Sequence, residues 1–210
     1  MPNGKGATGA GGQQPVRRGK TANQRADAQR NRAKILAATP DALRKDPDAS
    51  VADIAAEAGV GRMTLYGHFK TRAELIDATL VDGLEGAEAV LADVPLDGDP
   101  GEAFEALITS SWMLLERIRA VLVVAQRELQ PARIREMHEK AEARLRSLLE
   151  RGQREGVFRA DLPVGWLLAV THLTMNAAAE EVTAGRLDRD DAARVIVATL
   201  HSAFAANDHN

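Results

Sequence analysis

The chain's only tyrosine, Tyr66, stands in GVGRMTLYGHFKTR, residues 59–72, a stretch dense in polar groups. Arg62, Thr64, Tyr66, His68, Lys70 and Arg72 together offer guanidinium, hydroxyl, phenol, imidazole and ammonium groups. At helical spacing Arg62 and Tyr66 lie one turn apart on one flank, and Thr64 and His68 on the other. Met63 and Gly67 lie farthest from Leu65. Such a set suits hydrogen bonding to a patterned polyanion. Arg62 matches the O6/N7 pair of a guanine, and Thr64 a base edge or a thymine methyl group. Tyr66, His68, Lys70 and Arg72 suit phosphate oxygens. The alternative, Tyr66 and His68 packing against the rest of the protein, stays open at this point.

Bond-breaking chemistry finds little support. There is no cysteine, hence no thiolate nucleophile and no thiolate metal site. His68, His138, His172, His201 and His209 form no HExxH pair. No GxSxG elbow, phosphate loop or dinucleotide fingerprint occurs. The acid pairs Glu180-Glu181 and Asp190-Asp191 fall at helix ends, as solvated or capping groups. The expectation is a non-enzyme without metal or cofactor.

The reading stretch must sit on a scaffold. Ser50-x-x-Asp53 is a helix-start signal, and Val51, Ile54, Ala55 and Ala58 form the buried stripe of a two-turn helix. Gly59 supplies the left-handed residue that ends it. A short helix over 61–69 follows, anchored inward by Leu65 and Phe69. Thr71-x-x-Glu74 opens a longer helix, about 72–88. Ahead of these, 25–43 reads as a helix that should bend or break at Pro40. Helix, glycine turn and helix over 50–69 make a helix-turn-helix pattern. Ser50 and the Val51 amide, at a helix start, offer a further phosphate site.

Apolar residues make up 45 %, enough for a real core, and no β-period appears, so the fold class is all-α. Net charge is −3 but unevenly spread: residues 1–72 carry +7 and residues 73–210 carry −10. A basic head on an acidic body points to a polyanion partner. Residues 1–22, Gly-rich and basic, read as a disordered tail, as do 207–210. The N-terminal arm either reaches a neighbouring minor groove or is an inert solubiliser. No apolar run approaches the roughly 18–20 residues that span a bilayer, and no signal peptide is present, so a cytoplasmic protein is expected.

The string Ile54-Ala55, Ala58-Gly59-Val60, Thr64-Leu65-Tyr66, His68-Phe69 and Arg72 closely resembles the DNA-binding segment of the tetracycline-repressor-like (TetR) family. The resemblance implies a three-helix DNA-binding domain over 23–71 joined to a helical ligand-binding and dimerisation domain over 72–206. It implies a homodimer on a palindromic operator in double-stranded DNA, usually a repressor released by a small-molecule effector. Family contacts carry over to Arg62, Met63, Thr64, Tyr66, His68 and Arg72. Gly61 departs from the family, where a polar residue is frequent, and Arg72 replaces a more frequent lysine. A different class also remains: a helical small-molecule-binding protein or orphan enzyme keeping a non-functional helix-turn-helix.

In the body, helices are expected over 102–129, from Pro131 on, over 164–183 and over 188–205. The 164–183 helix is apolar nearly all round, so one side is assigned to the core and one to a partner chain, jointly with the last helix. Phe104, Leu107, Trp112, Met113, Trp166 and Met175, with His172 and Asn176 as polar hooks, are the ligand-pocket candidates. Plain core packing is the competing reading for each of them.

Overall fold

The computed structural model describes residues 16–206, with side chains from Gln24 onward except those of 135 and 138–141. Eight helices follow in order: α1 (Val16–Lys45), α2 (Val51–Glu57), α3 (Arg62–His68), α4 (Arg72–Leu91), α5 (Pro100–Glu128), α6 (Pro131–Arg154), α7 (Val164–Thr183) and α8 (Arg189–Phe204). The fold is all-α. Among the described residues the sole β feature is an isolated antiparallel bridge between Phe158 and Ala205. No helix among them is long and apolar enough to cross a membrane.

Local chemistry explains the boundaries around the head. Ser50 caps α2 through a reciprocal capping box with Asp53. Gly59 sits at φ 63°, the left-handed conformation the turn needs. Gly61 caps α3 with backbone alone. At α4 the Thr71 hydroxyl accepts from the Glu74 amide (3.0 Å), but the Glu74 carboxylate accepts from the Lys70 amide (2.7 Å) and not from Thr71. Asp99 caps α5 by accepting from the amides of Gly101 and Glu102.

Two expectations about α1 are corrected. The helix begins at Val16 and not at Arg25, so 16–22, assigned to the tail by composition, are helical. Residues 1–15 and 207–210 lie outside the described residues. The helix also runs through Pro40 to Lys45 without a break. Pro40 removes the bond to the Leu36 carbonyl, yet Ala42 and Leu43 beyond it are buried, and that packing holds the last turn in place.

Two hydrophobic cores organise the chain. The head core gathers Ile35 and Leu43 of α1, Ile54 of α2, Leu65 of α3, Phe69, and Leu75, Ile76 and Leu80 of α4. It also takes Val121, Leu122, Val124 and Ala125 from the end of α5. The body core holds the start of α5 with α6, α7 and α8, around Phe104, Trp112, Leu149, Leu167, Ile196 and Phe204. Both α4 and α5 therefore contribute to both cores, α4 through Leu80 in one and Leu91 in the other.

Candidate nucleic-acid interface and ligand cavity

α3 is anchored by Leu65, 1 % exposed, and by Phe69 just past its end, 2 % exposed. Its opposite side is open. Arg62, Met63 and Gly67 are exposed, and Thr64, Tyr66 and His68 are half-buried. Met63, at 81 %, leads the exposed large apolar side chains of the described residues. The Arg62 guanidinium lies over the Tyr66 ring, 5.5 Å from its centroid, a cation–π contact that orders both flanking groups. A Cβ placed on Gly67 would meet nothing within 4 Å, so no contact within the chain requires glycine there.

The flanking candidates behave differently. Lys70 is exposed beside α3. Arg72 turns inward: its Nε donates to the Ala49 carbonyl (3.1 Å), and its Nη2 to the Pro47 carbonyl (2.8 Å). Its Nη1 pairs with the Glu128 carboxylate at the end of α5. Three of its five N–H groups are thus directed within the chain, leaving fewer for the expected phosphate contact. The expected site at the α2 start is likewise preoccupied. The Asp53 carboxylate accepts from the Ser50 amide (2.8 Å) and from its hydroxyl (2.6 Å), and these bonds hold the Asp53 pKa below its ordinary value. An anion arriving at Ser50 would meet a carboxylate first. The Val51 side chain is buried in the head core, leaving only its amide at that end.

In the body a cavity of about 320 Å³ opens between α4, α5, α6 and α7. Leu107, His172, Met175 and Asn176 line it, as the sequence suggested. Four other candidates do not. Phe104 is fully buried among Phe158, Phe204 and His201, with ring centroids 5.4–5.8 Å apart in edge-on geometry. Trp112 is core, 2 % exposed, whereas Met113 and Trp166 are on the surface at 65 % and 56 %. The residues missed are mainly aliphatic: Leu84, Ala87 and Leu91 of α4 and Leu115, Ile118 and Leu122 of α5. Their types repeat every three or four residues, which core and cavity walls share. One usable signal was Ser111, a hydroxyl interrupting the α5 stripe Leu107, Leu114, Ile118.

Residues 43–79 match the family of bacterial regulatory proteins described as tetR. Over that segment the chain is similar to the TetR family. No curated protein sequence matches it. Solved structures match over 81–83 % of this chain and nearly the whole of theirs. The TetR-like regulator LfrR of Mycobacterium smegmatis, in complex with proflavine, is 24 % identical, with a TM-score of 0.68, over 83 % of this chain and 96 % of that one. A putative TetR-family regulator of Vibrio parahaemolyticus is 25 % identical, with a TM-score of 0.63, over 83 % and 98 %. FadR of Bacillus subtilis, in complex with stearoyl-CoA, is 18 % identical, with a TM-score of 0.64, over 81 % and 97 %.

The chain joins its two candidate sites through α4. One end of that helix packs in the head core beside α3, and the other lines the cavity with Leu84, Ala87 and Leu91. Gly83, between them, lets α4 approach α5 closely: a Cβ there would come within 2.6 Å of the Ile118 side chain. A second tie joins α4 to the start of α6, where Arg133 makes a two-pronged contact with Asp77 at 2.8 and 3.2 Å. The matched segment is similar to those regulatory proteins, and the helices around it share the fold of the solved regulators.

Proposed function

We propose that the chain is a homodimeric repressor of a palindromic operator, released when a small, largely apolar molecule enters the cavity. The observation that carries this is α4: the same helix shares the head core with Leu65 of α3 and with Phe69, and it forms a wall of the cavity. Arg62 reads a guanine and Thr64 an adjacent base edge. Met63 meets thymine methyl groups, and Tyr66, His68 and Lys70 meet sugar and phosphate.

Palindrome reading needs two α3 helices about 34–36 Å apart, one per half-site. For that pairing α7 offers an apolar surface: Trp166, Ala169, Leu173 and Ala177 are all exposed, Leu173 at 71 %. Pairing this face and α8 with a second copy makes a four-helix interface. Release follows if the ligand binds the spacing that does not fit DNA better than the one that does. The proflavine and stearoyl-CoA complexes of LfrR and FadR support ligand control in this fold.

A gel shift with DNA flanking the chain's own gene, read alongside light scattering, tests the proposal. Salt-sensitive, palindrome-selective binding by a dimer is expected. A monomer, or binding indifferent to sequence, refutes it.

A further inference from the structure

The chemistry of the cavity wall is narrower than that of a general drug pocket. Its surface is aliphatic from all four helices, including Leu91, Ile118, Leu145 and Met175. Among the described residues that line it there is no Phe, Tyr, Trp, Lys or Arg. Polar groups are few. The Thr171 hydroxyl donates to the Leu167 carbonyl (2.9 Å), so its proton is used within α7. Ser111, His172 and Asn176 make the remaining polar end.

The charge next to that end is negative. The Glu142 carboxylate lies 3.6 Å from Nδ1 of His172. Arg144, adjacent to the lining residue Leu145, is held by Glu88 and by the Leu91 carbonyl. An anion entering this space gives up its hydration with no lysine or arginine among the described lining residues to replace it, and it meets the Glu142 carboxylate as a like charge as well. A planar aromatic cation finds no Phe, Tyr or Trp face to stack on among the described lining residues. A saturated chain loses nothing of this kind, and each buried methylene favours binding.

We infer that the cavity selects an uncharged aliphatic molecule with one polar group, seated at Ser111, His172 and Asn176, and rejects carboxylates and flat aromatic cations. This rests on the reading of the cavity as the effector site.

The test is calorimetric titration of the full chain with 1-decanol, decanoate and acridine orange. Saturable 1-decanol binding is expected, with the other two about tenfold weaker or worse. Glu142→Gln, at a partly exposed position, is expected to tighten decanoate about threefold by removing the like charge. Decanoate or acridine orange binding as tightly as 1-decanol overturns the inference, as does 1-decanol without saturation. The same samples in the gel shift keep the two readings apart. DNA binding that survives a failed 1-decanol titration overturns the ligand class alone, and lost DNA binding strikes the regulator.

Discussion

Arg72→Ala separates two roles for the one basic residue that sequence places at the DNA and structure places inside. Its side chain is 24 % exposed, and its partner Glu128 is 26 % exposed. Truncation removes two hydrogen bonds from a charged donor to the Pro47 and Ala49 carbonyls, and the pairing with Glu128. Bonds of that kind contribute about 1.5 kcal/mol or more each when buried, and an ion pair this accessible adds less than about 1. Water replaces part of what is lost, so a net destabilisation of about 2–3 kcal/mol is expected. For a chain of this size that lowers Tm by roughly 5–10 °C. Glu128→Gln should cost about 1 kcal/mol or less, and Arg72→Lys should fall between, because ammonium keeps the charge but not the fork. The assay is thermal melting paired with DNA affinity across a salt series. A phosphate contact would flatten the plot of log K against log salt by about 0.9, whereas an internal strut leaves its slope alone. An unchanged Tm together with a slope flattened by about that amount would refute the internal role.

Arg62→Ala should lose about 1–3 kcal/mol of preference for one base pair in the operator while nonspecific binding persists, measured by competition with single-base operator variants. Gly67→Ala should raise Tm, since alanine is favoured over glycine by about 1 kcal/mol within a helix and nothing crowds the new methyl group. The same change should weaken operator binding if the groove wall comes close to that backbone; tighter binding would contradict close approach. Gly83→Ala should force apart α4 and α5 at Ile118, costing about 1–3 kcal/mol by overpacking and lowering effector affinity, checked by melting and titration. Lowering pH should loosen the start of α2 late. Asp53 titrates below the ordinary 3.8, so its capping contribution is full above that value and fades only as pH falls through the depressed pKa. Amide exchange at Ser50 and Asp53 reads this, and loosening already at pH 5 would contradict it.

What sequence revealed well was local. Ser50, Gly59, Thr71 and Pro131 mark helix ends through groups within four residues of each other, so their signals need no knowledge of the fold. Leu65 and Phe69 likewise declared the inner face of α3 by spacing alone. Pro40 misled because its local cost is outweighed by the burial of Ala42 and Leu43, which depends on distant helices. The internal partners of Arg72 were hidden for the same reason: its carbonyl partners lie 23 and 25 positions away. The cavity was half legible. Polar residues on α7 stood out against an apolar helix and were found, whereas leucines on α4 and α5 look the same whether they border empty space or a neighbour. Aromatic residues drew attention by size, but Phe104 and Trp112 serve to fill the body.

The end of α5 has a consequence for how such a protein can be recombined. Val121, Leu122, Val124 and Ala125 sit far along the chain, yet they complete the wall of the N-terminal core. The head is thus not a cassette. An excised head ending after α3 would lack the flooring that α4 and α5 supply, and a head grafted onto a different body would meet a floor shaped for another set of side chains. Heritable change in this protein must therefore keep two remote stretches of sequence in step, with α5 as the record of their agreement.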